Sequence, residues 1–282
     1  MKTAQITIEP GSAVLGAVVS GIDLRDADDL QIATLRRAVV EHGVVFLRDQ
    51  PLTDDEHLAL ARRFGVPAHF PVNRLLGNPG NPLGYIVDSA ESPPDADGWH
   101  TDITWIEMPP DFAFLQAIDI PERGGDTMWA CLHAAYDALS PAMRQIFRKL
   151  RVRHQVAPAI IAAFRARAGA ELAARIVDAF PPVSHPLVRT HPESGRDALF
   201  VSGTFMIGID GMTDAESRML LDFLAAHIQN PNFHVRWSWQ PGDLAIWDER
   251  RTNHRALSDH YPRDRRMRRC TVEGDRPVLV EA

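Results

Sequence analysis

The feature that most constrains the fold is a run near the C-terminus that alternates with a period of two. In Phe233-His-Val-Arg-Trp-Ser-Trp239 the apolar residues Phe233, Val235, Trp237 and Trp239 alternate with His234, Arg236 and Ser238. Successive side chains of a strand point to opposite faces, whereas a helix would scatter these rings around its axis. Pro241-Gly242-Asp243 then reads as a turn, residues 244–247 as a second strand and residues 265–272 as a third. Residues 112–118 and 126–130 predict two more, and residues 44–47 an apolar one. Short strands divided by Pro, Gly and Asp turns predict a mainly β protein, a sandwich or jelly roll with flanking helices bracing one side.

The helices are marked by their ends. Thr53-Asp-Asp-Glu56 and Thr213-Asp-Ala-Glu216 both fit the capping box, in which the Thr and Glu side chains satisfy free helical N–H groups. The first helix is expected to run to Phe64 and stop at Gly65. The second carries Met219, Leu220, Phe223 and Leu224 on one stripe and ends before Pro231. Ser140-Pro141 opens a helix through Leu150, and another over residues 30–42 ends at Gly43. Residues 70–98, rich in Pro, Gly, Asn and Asp, read as a long loop, and the Ala-rich residues 156–182 as one or two short inserted helices. Both are lid candidates. No repeat or linker divides the chain, so residues 1–282 are expected to form a single domain.

Composition excludes several classes. The chain has 282 residues, 45% hydrophobic and 24% charged, enough for a large core without covalent staples. Its two cysteines, Cys131 and Cys270, are too few for a disulfide framework or a zinc cluster and suit a reducing cytoplasm. The first residues, MKTAQITIEPGSAV, lack the apolar run of a signal peptide. No stretch approaches the roughly 18 apolar residues of a membrane span. A net charge of -7 argues against general nucleic-acid binding. The expectation is a cytoplasmic protein with a small-molecule partner, no nucleic acid and no membrane.

Against that background His100-Thr-Asp102 stands out. Residues i and i+2 of a strand share a face, so one imidazole and one carboxylate can meet a metal together. A distant histidine, His254, would complete two His and one carboxylate, a set that leaves coordination positions open on a non-haem Fe(II). Among twelve histidines such a pair arises easily by chance, so its neighbours decide. They read Trp99-His-Thr-Asp102, Gly124-Gly-Asp-Thr127, His185-Pro-Leu-Val-Arg-Thr-His-Pro192 and Trp247-Asp-Glu-Arg-Arg-Thr-Asn-His254, followed by Arg265-Arg-Met-Arg-Arg269. In this order the motifs are specific, and from about residue 7 to residue 278 the chain resembles the TauD/TfdA family of Fe(II)- and 2-oxoglutarate-dependent dioxygenases.

That resemblance implies a distorted double-stranded β-helix (jelly roll), with His100, Asp102 and His254 as iron ligands. It implies that Thr127 and Arg265 hold the distal carboxylate of 2-oxoglutarate, where a guanidinium fork can bond both oxygens. Arg269 matches the arginine that faces the acidic group of sulfonate substrates. By alternation Arg265, Met267, Arg269 and Thr271 share one face, and Arg266 and Arg268 are left as outward surface residues. Two arginines on an inner face would be a costly burial unless each met an anion. The implied cosubstrates are 2-oxoglutarate and O2. The implied assembly is a homo-oligomer, a dimer or tetramer. The intact Asp102 points to hydroxylation or a related oxidation, since halogenating relatives lack the carboxylate.

Departures from the taurine enzyme fall on the substrate side. Phe70 replaces a histidine, Asn73 a tyrosine, Ala96 an asparagine and Val156 an aromatic, while Phe205 is kept. Arg269 is left beside the apolar candidates Phe70, Ile103, Val156, Phe205, Met206 and Ile207, which suits an anionic substrate with a bulky apolar body. Alkyl sulfates or sulfonates come first, aryloxyalkanoates second and natural-product acids, hydroxylated or desaturated, third. A rival of another class is a jelly-roll metal-binding protein without catalysis, against which Thr127 and Arg265 speak. Trp99, Trp247 and Gly124-Gly125 read as structural. Asp126 reads as either a ligand-orienting or a turn residue, and Glu107 and His191 carry no role.

Overall fold

Seven strands form the main sheet of the computed structural model, which describes residues 5–75, 77, 80–94 and 98–281. Across the sheet they run β1 (Thr7–Pro10), β2 (Ala17–Ser20), β3 (Val44–Leu47), β13 (Leu244–Asp248), β5 (Phe112–Asp119), β15 (Arg265–Thr271) and β4 (Gly84–Asp88). Only β2 and β3 pair in parallel. A second sheet holds β12 (His234–Trp237), β6 (Thr127–Cys131) and β14 (Thr252–Ala256), a third β11 (Met206–Ile209), β7 (Arg151–His154) and β8 (Val183–Pro186). A last pair joins β10 (Asp197–Leu199) to β9 (Val188–Thr190). The alternating run is thus a strand over His234–Trp237, with Phe233 closing a short 3-10 turn before it.

Alternation explains the layers. From β3, Val45 and Leu47 face one core with Leu244 and Ile246 of β13, where they meet Ile32, Leu35 and Val39 of α1 (Asp29–His42) and Leu58 and Ala61 of α2 (Asp54–Arg62). The intervening Val44, Phe46, Ala245 and Trp247 face the other way, onto Trp129 of β6 and Trp237 of β12. Phe46 stacks on Trp237 at 4.3 Å, and Trp129 meets Trp247 edge-on at 5.6 Å. A sheet covered on both faces needs apolar residues at every position, which is why β3 and β13 read as unbroken apolar runs.

Both expected capping boxes form, Thr53 with Glu56 and Thr213 with Glu216, and a third, Asp28 with Gln31, opens α1. The remaining helices are α3 (Pro71–Leu75), α4 (Leu132–Asp137), α5 (Pro141–Phe147), α6 (Pro158–Ala168), α7 (Ala170–Ala179) and α8 (Asp214–His227). α6 and α7, hinged at Gly169, are the two short helices expected over residues 156–182. No helix among the described residues is long and apolar enough to cross a membrane.

Three expectations need correction. Residues 70–98 are not one long loop, because α3 and the edge strand β4 lie within them. β4 pairs with β15 while most of its side chains, Tyr85, Ile86 and Val87 among them, are exposed, and this short apolar run is set among Pro, Gly, Asn and Asp residues. The α8 stripe is only partly inward: Leu224 is buried, but Met219 and Phe223 are 63% and 41% exposed. Arg268 is not a surface residue. The face of β15 that carries it is covered by α2, and Arg268 is 4% exposed, bonded to Asp54, Gln116 and the Leu52 carbonyl. Arg266 does stay outside, over the Tyr85 ring.

Candidate active site

His100 and His254 meet across an isolated antiparallel bridge, each backbone N–H bonding the other's carbonyl at 3.0 and 2.8 Å. Past that bridge the chain turns, with residues 102–105 in a turn and Ile103 at φ +50°. His100 and Asp102 therefore converge through a bridge followed by a turn, not as i and i+2 of one strand. The donor atoms of His100, Asp102 and His254 lie within 4.8 Å of one another. Asp102 Oδ1 is 3.5 Å from His100 Nε2 and 3.8 Å from His254 Nε2.

These residues fit a divalent transition metal. His100 Nδ1 lies 2.8 Å from the Gly98 carbonyl, which only an Nδ1–H can bond, so the Nε2 lone pair faces Asp102 and His254. Burial holds the His100 imidazole down at about 4, with the nearby Arg269 acting in the same direction against the Gly98 hydrogen bond. Burial, and then His100, holds His254 well below the usual histidine range. Both rings are neutral at physiological pH, as metal ligation requires. Two imidazoles and one carboxylate on one side of a buried point suit Fe(II).

The sequence motifs around the ligands turn out to be their support. Asn253 donates to Thr101 Oγ1 at 2.8 Å and to the Val201 carbonyl at 2.9 Å, and Thr101 Oγ1 donates to the Thr252 carbonyl. Glu249, fully buried, accepts the Asp102 backbone N–H at 3.0 Å and the Trp247 indole N–H at 2.8 Å. Burial pushes its carboxyl well above the usual range. Beside it Asp248 accepts a two-pronged bond from Arg250 and a third from His191. Burial alone would raise the Asp248 carboxyl, but Arg250 and His191 hold it well below the usual range. His191 thus pins the strand before His254.

Arg265 and Thr127 both sit at the Gly124-Gly125 turn. Arg265 Nε donates to the Gly125 carbonyl at 3.0 Å, and Thr127 Oγ1 accepts the Trp239 indole N–H at 3.0 Å. The glycines do more than turn the chain. At φ +72°, Gly125 has no room for a side chain, since a Cβ there would lie 2.9 Å from Arg265 Cδ. Asp88, the cross-strand neighbour of Arg265, places Oδ2 3.4 Å from its Nη1 and 3.3 Å from His260 Nε2. Asp126 accepts from Arg236 and Ser238 at 2.6 and 2.9 Å. Glu107 pairs with Arg276 on the surface.

On the substrate side Phe70, Ile103, Val156 and Phe205 fall into one apolar cluster that also includes Trp105, Val72 and Ile176. The Phe205 ring stands edge-on to His100 at 6.5 Å, and Phe70 packs on Trp105 and Phe164. Arg269 ion-pairs with Asp102. Met206 does not join this cluster but packs into a separate core with Trp99 and Leu224, whereas Ile207 is 48% exposed. Ala96 lies outside the described residues. The residues that a sequence reading misses are Glu249, Asp88 and His260. Glu249 left no local signal, since it stands among the charged residues Asp248, Arg250 and Arg251 of its motif, and Asp88 acquires its meaning only through strand pairing.

Comparison with known proteins agrees with this geometry. Residues 7–271 match the family described as "Taurine catabolism dioxygenase TauD, TfdA family". The "Alpha-ketoglutarate-dependent sulfate ester dioxygenase" of Pseudomonas putida is 32% identical over 98% of this chain and 92% of its own. The "Alkylsulfatase" of Acinetobacter baylyi is 32% identical over 97% and 86%. The crystal structure of a taurine dioxygenase from Burkholderia xenovorans superposes with a TM-score of 0.80 at 34% identity, covering 98% of this chain and 97% of that one. The chain belongs to the TauD/TfdA family of dioxygenases.

Proposed function

We propose that this protein is an Fe(II)- and 2-oxoglutarate-dependent dioxygenase that oxidises a C–H bond of an anionic substrate with a bulky apolar body, of the alkyl sulfate or sulfonate type. The observation that carries the reading is the convergence of His100, Asp102 and His254 within 4.8 Å beside Arg269 and the Phe205 cluster. Fe(II) held there supplies O2 activation coupled to the conversion of 2-oxoglutarate to succinate and CO2. His100, Asp102 and His254 would hold the metal, a two-imidazole and one-carboxylate set suited to Fe(II). Arg265 and Thr127 bind the distal carboxylate of 2-oxoglutarate, with Gly125 and Asp88 holding Arg265 in place. Arg269 receives the acidic head of the substrate, and Phe70, Ile103, Val156 and Phe205 pack on its apolar body and keep water out. Oxidation at a carbon that bears a sulfate oxygen yields an aldehyde and releases the sulfate.

The same reading makes residues 1–282 a single domain on a distorted jelly roll, with residues 70–98 and 156–182 as lids. It makes the protein a cytoplasmic homo-oligomer, a dimer or tetramer. Anaerobic protein mixed with Fe(II) and 2-oxoglutarate should develop a weak visible metal-to-ligand charge-transfer band, and His100→Ala should abolish it. A wild type without the band, or an undiminished band in His100→Ala, would sink the reading. Succinate release should then be greater with alkyl sulfates than with taurine.

A further inference from the structure

A cavity of about 520 Å³ opens between α6 and the segment that leads into β11, its lining including Thr204, next to Phe205 in the chain. Its wall is built from Val156, Ala157, Ile161, Ala162 and Ile207, with Arg165 at one side. The cavity adjoins the site. Gln155 N–H bonds the Phe205 carbonyl, and Phe205 stands 6.5 Å from His100. Gly203 N–H bonds the Trp99 carbonyl, and Thr204 Oγ1 lies so near Gly98 that a Cβ there would be 3.0 Å away. Val156 and Thr204, on the cavity wall, therefore flank the aromatic ring that borders the ligands.

The chemistry of the wall selects the occupant. None of its residues is aromatic and none is acidic; Arg165 is its one charged group among the described residues. Ile161, Ala162, Arg165 and Ala166 recur at helical spacing along one side of α6, so the wall is a trough along the helix axis. An apolar trough without rings to stack on suits an aliphatic chain, and the absence of carboxylates suits a molecule whose other end is an anion. No α6 residue is fully buried, and Ile207 is 48% exposed, so these apolar side chains are left for a ligand to cover.

We propose that this trough binds the linear alkyl tail of the substrate, with Ile161, Ala162 and Ala166 setting the tail length accepted. The proposal rests on the reading above for the anionic head at Arg269, and it adds that an aliphatic tail is preferred to an aryl group. Calorimetric titration of the anaerobic Fe(II)- and 2-oxoglutarate-loaded protein with hexyl, octyl and decyl sulfate, below their micellar concentrations, tests it. Wild-type affinity should rise with length by up to about fourfold per methylene, and phenyl sulfate should bind more weakly than octyl sulfate. Ala162→Trp, at an exposed helical position, should abolish the rise beyond hexyl; Ala166→Trp serves if the first variant does not fold.

Affinity independent of length in the wild type, or an unchanged rise in a folded tryptophan variant, overturns the tail site. The charge-transfer band separates the two readings. A length dependence that the tryptophan abolishes, in protein that forms no band with 2-oxoglutarate, supports the trough while removing the dioxygenase reading. A band lost in His100→Ala, without any length dependence, does the reverse.

Discussion

Glu249 accepts two N–H donors, one from the backbone of the metal-ligand candidate Asp102 and one from the Trp247 indole. Both partners can only donate, so the site calls for two acceptors, which a carboxylate supplies. Asp102 sits in a turn, not a strand, and no ladder fixes its backbone; this bond does. Replacing Glu249 with Leu keeps bulk but removes both acceptors and leaves the Asp102 N–H buried and unpaired. Metal affinity should fall about 10- to 100-fold, the usual cost of losing an orienting partner, measured by Mn(II) titration followed by EPR. Unchanged affinity in folded Glu249→Leu would reduce Glu249 to packing. At this scale the ligand triad was legible because its motif frame is long, whereas the roles of Glu249 and Asp88 were not. Their partners are 147 and 177 residues distant, at Asp102 and Arg265, and no local periodicity records such a pairing.

At the scale of elements, helix ends were the most readable features, since a capping box is satisfied within four residues. Strands covered on both faces were equally clear. The edge strand β4 was missed because its apolar run, Tyr85-Ile86-Val87, is three residues long within a Pro-, Gly-, Asn- and Asp-rich stretch, and its place in the sheet depends on pairing with β15. Arg268 failed for a related reason. Alternation along β15 correctly separates it from Arg269, but whether its face meets water or α2 depends on where that helix docks. Its guanidinium joins α2 to the sheet through Asp54, the Leu52 carbonyl and Gln116. Arg268→Met should destabilise the protein by about 3 kcal/mol, because buried acceptors are left unpaired. Calorimetric melting checks this; a melting temperature within a degree of wild type would contradict it.

For the molecule as a whole, buried neutral histidines set the acid limit. Burial lowers His57, His133 and His154 to about 3 and His185 to about 4, with Arg268 adding to the effect at His57, Arg251 at His133 and His185 at His154. In the unfolded chain the same groups titrate near 6.5. Below that pH the unfolded state takes up protons that the native state refuses until about 3 to 4, so stability is complete above 6.5 and declines as pH falls through this window. Each histidine contributes on the order of 1 kcal/mol per pH unit, against a typical total of about 5–15 kcal/mol. The urea midpoint should drop sharply between pH 7.5 and pH 5, and His57→Gln should flatten the slope. Equal midpoints at the two pH values would show that these rings accept protons without unfolding.

The sequence alone determined the mainly β class, the principal helices, the identity of the metal-ligand candidates and the family resemblance. Each is written either in a local period or in a motif whose residues lie close along the chain. Tertiary structure decided which face of β15 is covered, what holds Asp102 in its turn and how Phe70, Ile103, Val156 and Phe205 come together beside a trough along α6. Those features depend on contacts between segments tens to hundreds of residues apart, and such contacts exist only once the sheets and helices have packed.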